Sequence, residues 1–287
     1  MLMRLLVTAD LHYNHPRSRK LAESLIEQMN HAGGDVLLVV GDTAASDSDA
    51  MEQCLSRFRF PGPKLFVAGN HELWTHGPDS YEIIQQTLPS RIRAMGWHWL
   101  QTEPFVAAEV AIVGNIGWYD YSFAPPDLEI TRRFYEAKIS PGAAEYLGQP
   151  LGEVSERARQ VVARWNDGKF VKLHRTDDAF LEELLGLLKS QLDSLREIPH
   201  VVAAVHHIPL PELLPPRRYP QLDFARAYLG SPKIGQLIRQ YPNVRTLLCG
   251  HSHFPAETQV DQIHAINIGS GYRAKAFREL NVIAGLR

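Results

Sequence analysis

Cysteine is scarce in this 287-residue chain, which has only Cys54 and Cys249. Two cysteines build neither a multi-bridge disulfide framework nor a CxxC metal site at that spacing. Long apolar runs are missing as well: no stretch reaches the roughly 20 residues that a membrane-spanning helix needs. "MLMRLLVTAD" is too short for a signal-peptide apolar region, and no cleavage-like segment follows it. The expected location is therefore the cytoplasm, with no membrane partner. Neither sign of charge is in excess. The 30 Lys and Arg against 32 Asp and Glu leave a formal net charge of -2, so long nucleic acid is not an expected partner. Internal repeats and low-complexity tracts are absent too, which sets aside solenoids and biased linkers.

What the chain does have is apolar content and histidine, 45% hydrophobic residues and 13 His. That apolar content suffices for one large α/β core or at most two smaller ones. "RLLVTAD" predicts a buried strand stopping at Asp10, "DVLLVVGD" one stopping at Asp42, and "KLFVAGNH" one stopping before Asn70 and His71. Between the first two, "RSRKLAESLIEQMNHAG" predicts a helix ended by Gly33 and Gly34. "DAMEQCLSRF" predicts a shorter crossover helix before the third. Near-continuous apolar strands alternating with helices argue for a sheet covered by helices.

The middle of the chain differs. "WHWLQTEPFVAAEVAIVGNIGW" predicts two or three short strands with "AAE" as a turn. Residues 118–175, polar and aromatic, read as an insertion or lid within a single domain of residues 1–287. "TDDAFLEELLGLLKSQLDSLREI" is the strongest helix, capped by Thr176 with Asp177 and Asp178 in its first turn. "HVVAAVHH" predicts a strand arriving at His206, "PLPELLPPRRYP" a proline-rich loop, and "SPKIGQLIRQYP" a short helix. "VRTLLCGHSH" predicts a strand with its exit loop. "AETQVDQIHAINIGSGY" and "KAFRELNVIAGL" predict closing strands, expected to be antiparallel.

Five apolar strands thus deliver polar residues at their carboxyl ends: Asp10 and His12; Asp42; Asn70 and His71; His206 and His207; His251 and His253. In an α/β sheet the ligand crevice lies outside those ends, so distant positions can converge there. Carboxylates, imidazoles and an amide oxygen suit divalent metals of intermediate hardness. A lone buried histidine or carboxylate is more often satisfied by ordinary hydrogen bonds. Five loaded strand ends are another matter. Left bare and buried, Asp10 and Asp42 would repel each other or resist desolvation, and cations relieve that conflict. Cys249 lies inward of the exit loop and reads as a small core residue.

With those residues in place, the chain resembles the calcineurin-like metallophosphoesterases. "ADLH", "VGDT", "AGNHE", "AVHH" and "CGHSH" match, in order, the family's Asp-x-His, Gly-Asp, Gly-Asn-His-Asp/Glu, later His and Gly-His-x-His pieces. The resemblance implies an α/β fold, a four-layer α/β/β/α sandwich with a central pair of mixed sheets. It implies two divalent metal ions, Mn2+ first and Fe, Zn, Ni, Co or Mg as alternatives, and no organic cofactor. Asp10, His12, Asp42 and His253 would hold one ion. Asp42, Asn70, His206 and His251 would hold the other, with Asp42 shared. His71 matches the catalytic histidine that lies over the metal pair and protonates the leaving group. "GDTAASD" departs from the family, with alanine where a second polar residue commonly stands. The "HH" pair leaves His207 open as an alternative to His206, since strand alternation lets only one face the site.

The function implied is metal-dependent hydrolysis of a small-molecule phosphoester, a diester more than a monoester, by in-line attack of a metal-bridging hydroxide. A phosphomonoesterase or nucleotide phosphatase is the near alternative, and a non-catalytic metal-stabilised phosphate-binding scaffold the alternative of a different class. No amphipathic element is surplus to core burial, so the sequence assigns no oligomeric state. Arg132, Arg133, Arg217, Arg218 and Arg273 are candidate phosphate clamps, each more commonly a solvated surface residue. Trp118, Tyr119, Tyr121 and Phe123 either wall the substrate site or pack the insertion onto the core. Glu72 either orients His71 or caps a local turn, and Asn267 either supports the site or shapes a turn.

Overall fold

Successive side chains of a strand point to opposite faces, so an unbroken apolar run requires burial on both. The computed structural model, which describes residues 2–77 and 79–283, meets that requirement with two sheets packed face to face. In β1 (Leu2–Thr8), Leu5 and Val7 point to the space between the sheets and Leu6 points outward. β2 (Val36–Val40) repeats the rule, with Val36, Leu38 and Val40 inward and Leu37 and Val39 outward. The outward set meets Ala22, Leu25, Ile26 and Met29 of the helix Pro16–Ala32. Gly33 closes that helix at φ 61°, a left-handed conformation open to glycine.

The first sheet runs β11 (Phe277–Ile283), β1, β2, β3 (Lys64–Val67) and β4 (His98–Trp99). The second runs β5 (Phe105–Ala107), β6 (Val110–Asn115), β7 (His200–Val205), β8 (Val244–Cys249), β10 (Ile263–Asn267) and β9 (Ala256–Val260). Both are mixed. β1 is antiparallel to β11 and parallel to β2, while β6, β7 and β8 are parallel to one another. The helix Asp177–Ser194 covers the second sheet, and Thr176 caps it by accepting from the Ala179 N–H. The architecture is therefore the four-layer α/β/β/α sandwich with a central pair of mixed sheets that the family resemblance implied.

One closing strand departs from expectation. β9 and β11 are antiparallel to their neighbours, but β10 lies parallel to β8. The two-residue turn at Asp261 and Gln262 reverses the chain after β9, so β10 runs in the direction of β8 and slots in beside it. Residues 284–286, the end of the expected last strand, lie outside the described residues.

Residues 80–94 are helical although the patterning did not mark them. A π-helical turn over Ile83–Thr87 and Pro89 inside Leu88–Ala94 break the period that would have done so. The stretch 118–175 carries four short α-helices, Arg132–Glu136, Pro141–Tyr146, Glu156–Arg159 and Asp167–Phe170. Its aromatic start is packing. Trp118 and Tyr119 are fully buried, Tyr121 and Phe123 nearly so, and all four join the main core. Asp177 anchors them, accepting from Trp118 Nε1 at 2.7 Å, from the Tyr121 hydroxyl and from Lys138 Nζ at 2.5 Å. No helix among the described residues is long and apolar enough to cross a membrane.

Candidate active site

The carboxyl ends of β1, β2 and β3 in the first sheet and of β7 and β8 in the second point to one seam. There the chain leaves the sheets in tight turns. Asp10, His12, Asp42, His251 and His253 all adopt positive φ, between 42° and 69°. Asp and His tolerate that region better than most residues, yet each such position costs of order 1–3 kcal/mol. Local hydrogen bonds hold the strain. The Asp10 N–H donates to Gly41 O at 2.9 Å and the His12 N–H to Asp42 O at 2.8 Å, joining the first two loops. The His251 N–H donates to Asp10 Oδ1 at 3.0 Å, tying the last loop to the first.

Glycines make room for the side chains that meet there. A Cβ on Gly69 would stand 2.2 Å from Asp42 Oδ1, and one on Gly41 2.3 Å from His206 Nδ1. Both approaches are too close for any side chain.

The predicted residues form two groups that share Asp42. Ligand atoms of Asp10, His12, Asp42 and His253 lie within 4.8 Å of one another, as do those of Asp42, His206 and His251. His12 Nε2 and His253 Nε2 are 2.9 Å apart. His206 Nε2 lies 3.3 Å from Asp42 Oδ1 and 3.2 Å from His251 Nδ1. Asp42 therefore turns Oδ1 to the second group, while Oδ2 lies 3.8 Å from His12 Nε2 in the first. Asn70 lines the same cleft, and its buried Oδ1 has no hydrogen-bond partner. His206, not His207, joins the cluster. His207 Nδ1 pairs with the Ile116 carbonyl instead, and its ring packs 4.9 Å from Trp118.

Second contacts set ring orientation. His206 Nδ1 pairs with Val40 O at 2.9 Å, and His251 Nε2 with Tyr228 O at 3.1 Å, so the opposite nitrogens face the cluster. His71 presents Nε2 3.8 Å from Asp42 Oδ2, and its ring stacks on Trp74 with centroids 3.7 Å apart. Glu72 does not orient His71. It is buried beneath the loops and accepts four backbone N–H groups, from Asp42, Thr43, Ala44 and Gly69. Asn267 braces the last loop, donating from Nδ2 to Gly250 O and Ser252 Oγ.

The electrostatics fit a cation site. Burial works against the Asp42 carboxylate, yet the imidazoles of His206 and His71 hold its pKa well below the usual range. Burial alone lowers His206, but Asp42 outweighs it and raises the imidazole to about 9. Burial lowers His12 and His251 well below their ordinary value, keeping them neutral and able to donate lone pairs. Carboxylates, an unpartnered amide oxygen and imidazoles, of which His206 would give up the proton that Asp42 favours, suit two divalent ions.

A cleft of about 480 Å³ opens over Asp42, Asn70, His71, His251 and His253. Its walls come from Trp74, the stretch 118–175 through Arg164, Trp165 and Asn166, the proline-rich loop through Pro215 and Pro216, and Tyr272. Of the five arginines considered above, Arg218 lines it. Arg132 instead pairs with Glu136 and Asp178, and Arg217 with Asp127 and Asp223. Three contributors escaped sequence reasoning. Trp74 and Tyr272 stack on His71 and His12, with Tyr272 centred 4.2 Å from the latter. Lys275 donates to Asp10 O at 2.6 Å. The aromatic position just after "GNHEL" was the available signal for Trp74.

Comparison with known proteins agrees with this fold. The calcineurin-like phosphoesterase family model matches residues 3–255. An acyl-carrier-protein phosphodiesterase, PptH of Mycobacterium tuberculosis, is 26% identical over 274 residues, covering 92% of this chain and 76% of that protein. The crystal structure of phosphopantetheinyl hydrolase (PptH) from Mycobacterium tuberculosis superposes with a TM-score of 0.70 at 24% identity, covering 94% of this chain and 89% of that one. A dimetal phosphatase from Danio rerio shares the fold at a TM-score of 0.53 and 12% identity, covering 99% of both chains.

Proposed function

This chain belongs to the calcineurin-like phosphoesterase family, and from that premise we propose that it hydrolyses phosphodiesters with two Mn2+ ions. The observation that carries the proposal is Asp42, one carboxylate oxygen facing each histidine group. In this reading Asp10, His12, Asp42 and His253 hold one ion, and Asp42, Asn70, His206 and His251 hold the other. When bound, such an ion pair acidifies water and draws negative charge from a phosphoryl group.

The chain's own residues do the rest. Asp42 fixes the spacing of the two positions. His71, beside that carboxylate and braced by Trp74, delivers a proton to the departing oxygen. Burial lowers its pKa, and the Asp42 and Asp167 carboxylates work against that by favouring the protonated ring. Trp165, Pro215 and Pro216 offer apolar wall to an organic substituent, and the cleft's volume suits a diester with a group on either side of phosphorus. The name of the 26% identical relative makes a phosphodiester of an acyl carrier protein the first natural substrate to try, with small-molecule diesters as the simplest probes. The insertion 118–175 serves this site as a wall within a single domain.

The test is an activity matrix of Mn, Fe, Zn, Ni, Co and Mg against aryl phosphodiesters and phosphomonoesters, with metal content measured on the same preparation. Turnover highest with Mn2+ and diesters is the expected result. Preference for monoesters would transfer the assignment to a phosphatase. Two bound ions without hydrolysis of any ester would leave a phosphate-binding scaffold.

A further inference from the structure

The insertion reaches the cluster through one buried carboxylate. Asp167 opens the short helix Asp167–Phe170, is fully buried, and has no cationic partner among the described residues. Four donors satisfy it instead. Oδ1 accepts from Asn70 Nδ2 at 2.8 Å and Trp74 Nε1 at 2.6 Å. Oδ2 accepts from the Tyr119 hydroxyl at 3.0 Å and Trp165 Nε1 at 2.7 Å.

Three of these donors belong to the site itself. Trp74 is the ring stacked on His71, and Trp165 lines the cleft with its ring centred 5.9 Å from that of His251. Asn70 matters most. A carboxylate accepts and does not donate, so the Asn70 amide must give its nitrogen to Asp167 and turn its oxygen away. That oxygen is the buried, unpartnered Oδ1. An isolated amide turns over readily, because its two ends have nearly the same shape. Asp167 makes the two orientations unequal, since the flipped amide would lose that hydrogen bond and set a carbonyl against a carboxylate.

We propose that Asp167 is a positioning residue: it fixes the Asn70 amide with its oxygen toward the second cation position and seats Trp74 under His71. The proposal rests on the reading of Asn70 as a metal ligand. A carboxylate that merely glued the insertion to the core would leave cation binding unchanged.

The test is Mn2+ binding by the purified full-length chain, measured by equilibrium dialysis with elemental analysis. The variants are Asn70→Ala, Asp167→Ala, Asp167→Asn and the double Asn70→Ala/Asp167→Ala. Asp167→Ala should weaken one of the two sites by about 10–100-fold, the usual effect of losing an outer partner of a ligand, and leave the other intact. The double variant should be no weaker than Asn70→Ala, because both changes act through one amide. Asp167→Asn should recover much of the loss, since its amide oxygen still accepts from Asn70.

Wild-type binding of both ions in Asp167→Ala overturns the proposal, as does equal weakening of both sites. Asp167→Leu, which fills a similar volume and accepts no hydrogen bond, is read the same way where the alanine variant is insoluble. If Asn70→Ala also binds both ions normally, the ligand reading of Asn70 fails with it. If only Asn70→Ala is weakened, that reading stands and the role of Asp167 falls.

Discussion

The backbone N–H of Asp42 donates to Glu72 Oε2 at 2.9 Å. The residue beside His71 thus holds, from below, the residue that both histidine groups share. Burial and the nearby Asp42 charge push the Glu72 carboxyl up to about 7, while the N–H donors of Gly69 and Thr43 oppose them. Glu72→Gln keeps one acceptor oxygen and turns an NH2 toward backbone donors. It should lower stability by about 2 kcal/mol or more, the cost of buried donors left unpaired, as read from urea unfolding. Metal content should drop with it. An unchanged urea midpoint would mean that the four backbone contacts are idle.

Gly69 and Gly96 make a matched pair. A Cβ at Gly69 would collide with Asp42 Oδ1, whereas one at Gly96 meets nothing within 4 Å although its φ is 74°. Gly69→Ala should lose metal binding even where circular dichroism shows a folded chain. Gly96→Ala should cost about 1–2 kcal/mol of left-handed strain and bind metal normally. Equal metal content in the two variants would remove the crowding argument.

His71→Ala should keep both ions and lose turnover, and the loss should depend on the leaving group. An alkyl leaving group needs a proton and an aryl one far less, so rate loss should be larger for the alkyl ester by about 10²-fold, the lower end of general-acid effects. Equal losses with both esters would count against proton delivery.

Far from the site, His200 offers a pH handle. Burial lowers its pKa below the ordinary value, with Ile283 O and Thr246 Oγ1 as its ring partners. A base held below its unfolded pKa is neutral in the folded chain and takes up a proton on unfolding. Its stabilising contribution is complete above about pH 6.5 and shrinks as pH falls below that. His200→Gln should therefore flatten the acid side of the stability curve. Chemical unfolding of both proteins at pH 7.5 and 5.5 measures the difference, and parallel curves would show that His200 titrates as it does in the unfolded chain.

Much of the site was legible because its signals are local. Each apolar run ends on its polar residue, so strand order was enough to send Asp10, Asp42, Asn70, His206 and His251 to one seam. Alternation along β7 said only that one of His206 and His207 faces the site, and the structure brings in His206. What escaped were contacts made across long gaps of chain. Asp167 lies 97 positions from Asn70, inside a segment whose short helices carry too few turns for periodicity to register. Glu72 looked like a local cap because its partners at Asp42 and Thr43 come from another strand's exit. The parallel placement of β10 depended on which neighbour it chose, and no residue in "IHAIN" states that choice.

The pairing of β1 with β11 has a consequence for synthesis. β1 flanks β11, Leu2 opposite Ile283 and Thr8 opposite Phe277, although most of this sequence separates them. A chain that has not yet added β11 carries an open sheet edge along β1, even when His251 and His253 are already in place. Such a product is sticky although its candidate ligands are present, and a cell making this protein has reason to clear it quickly.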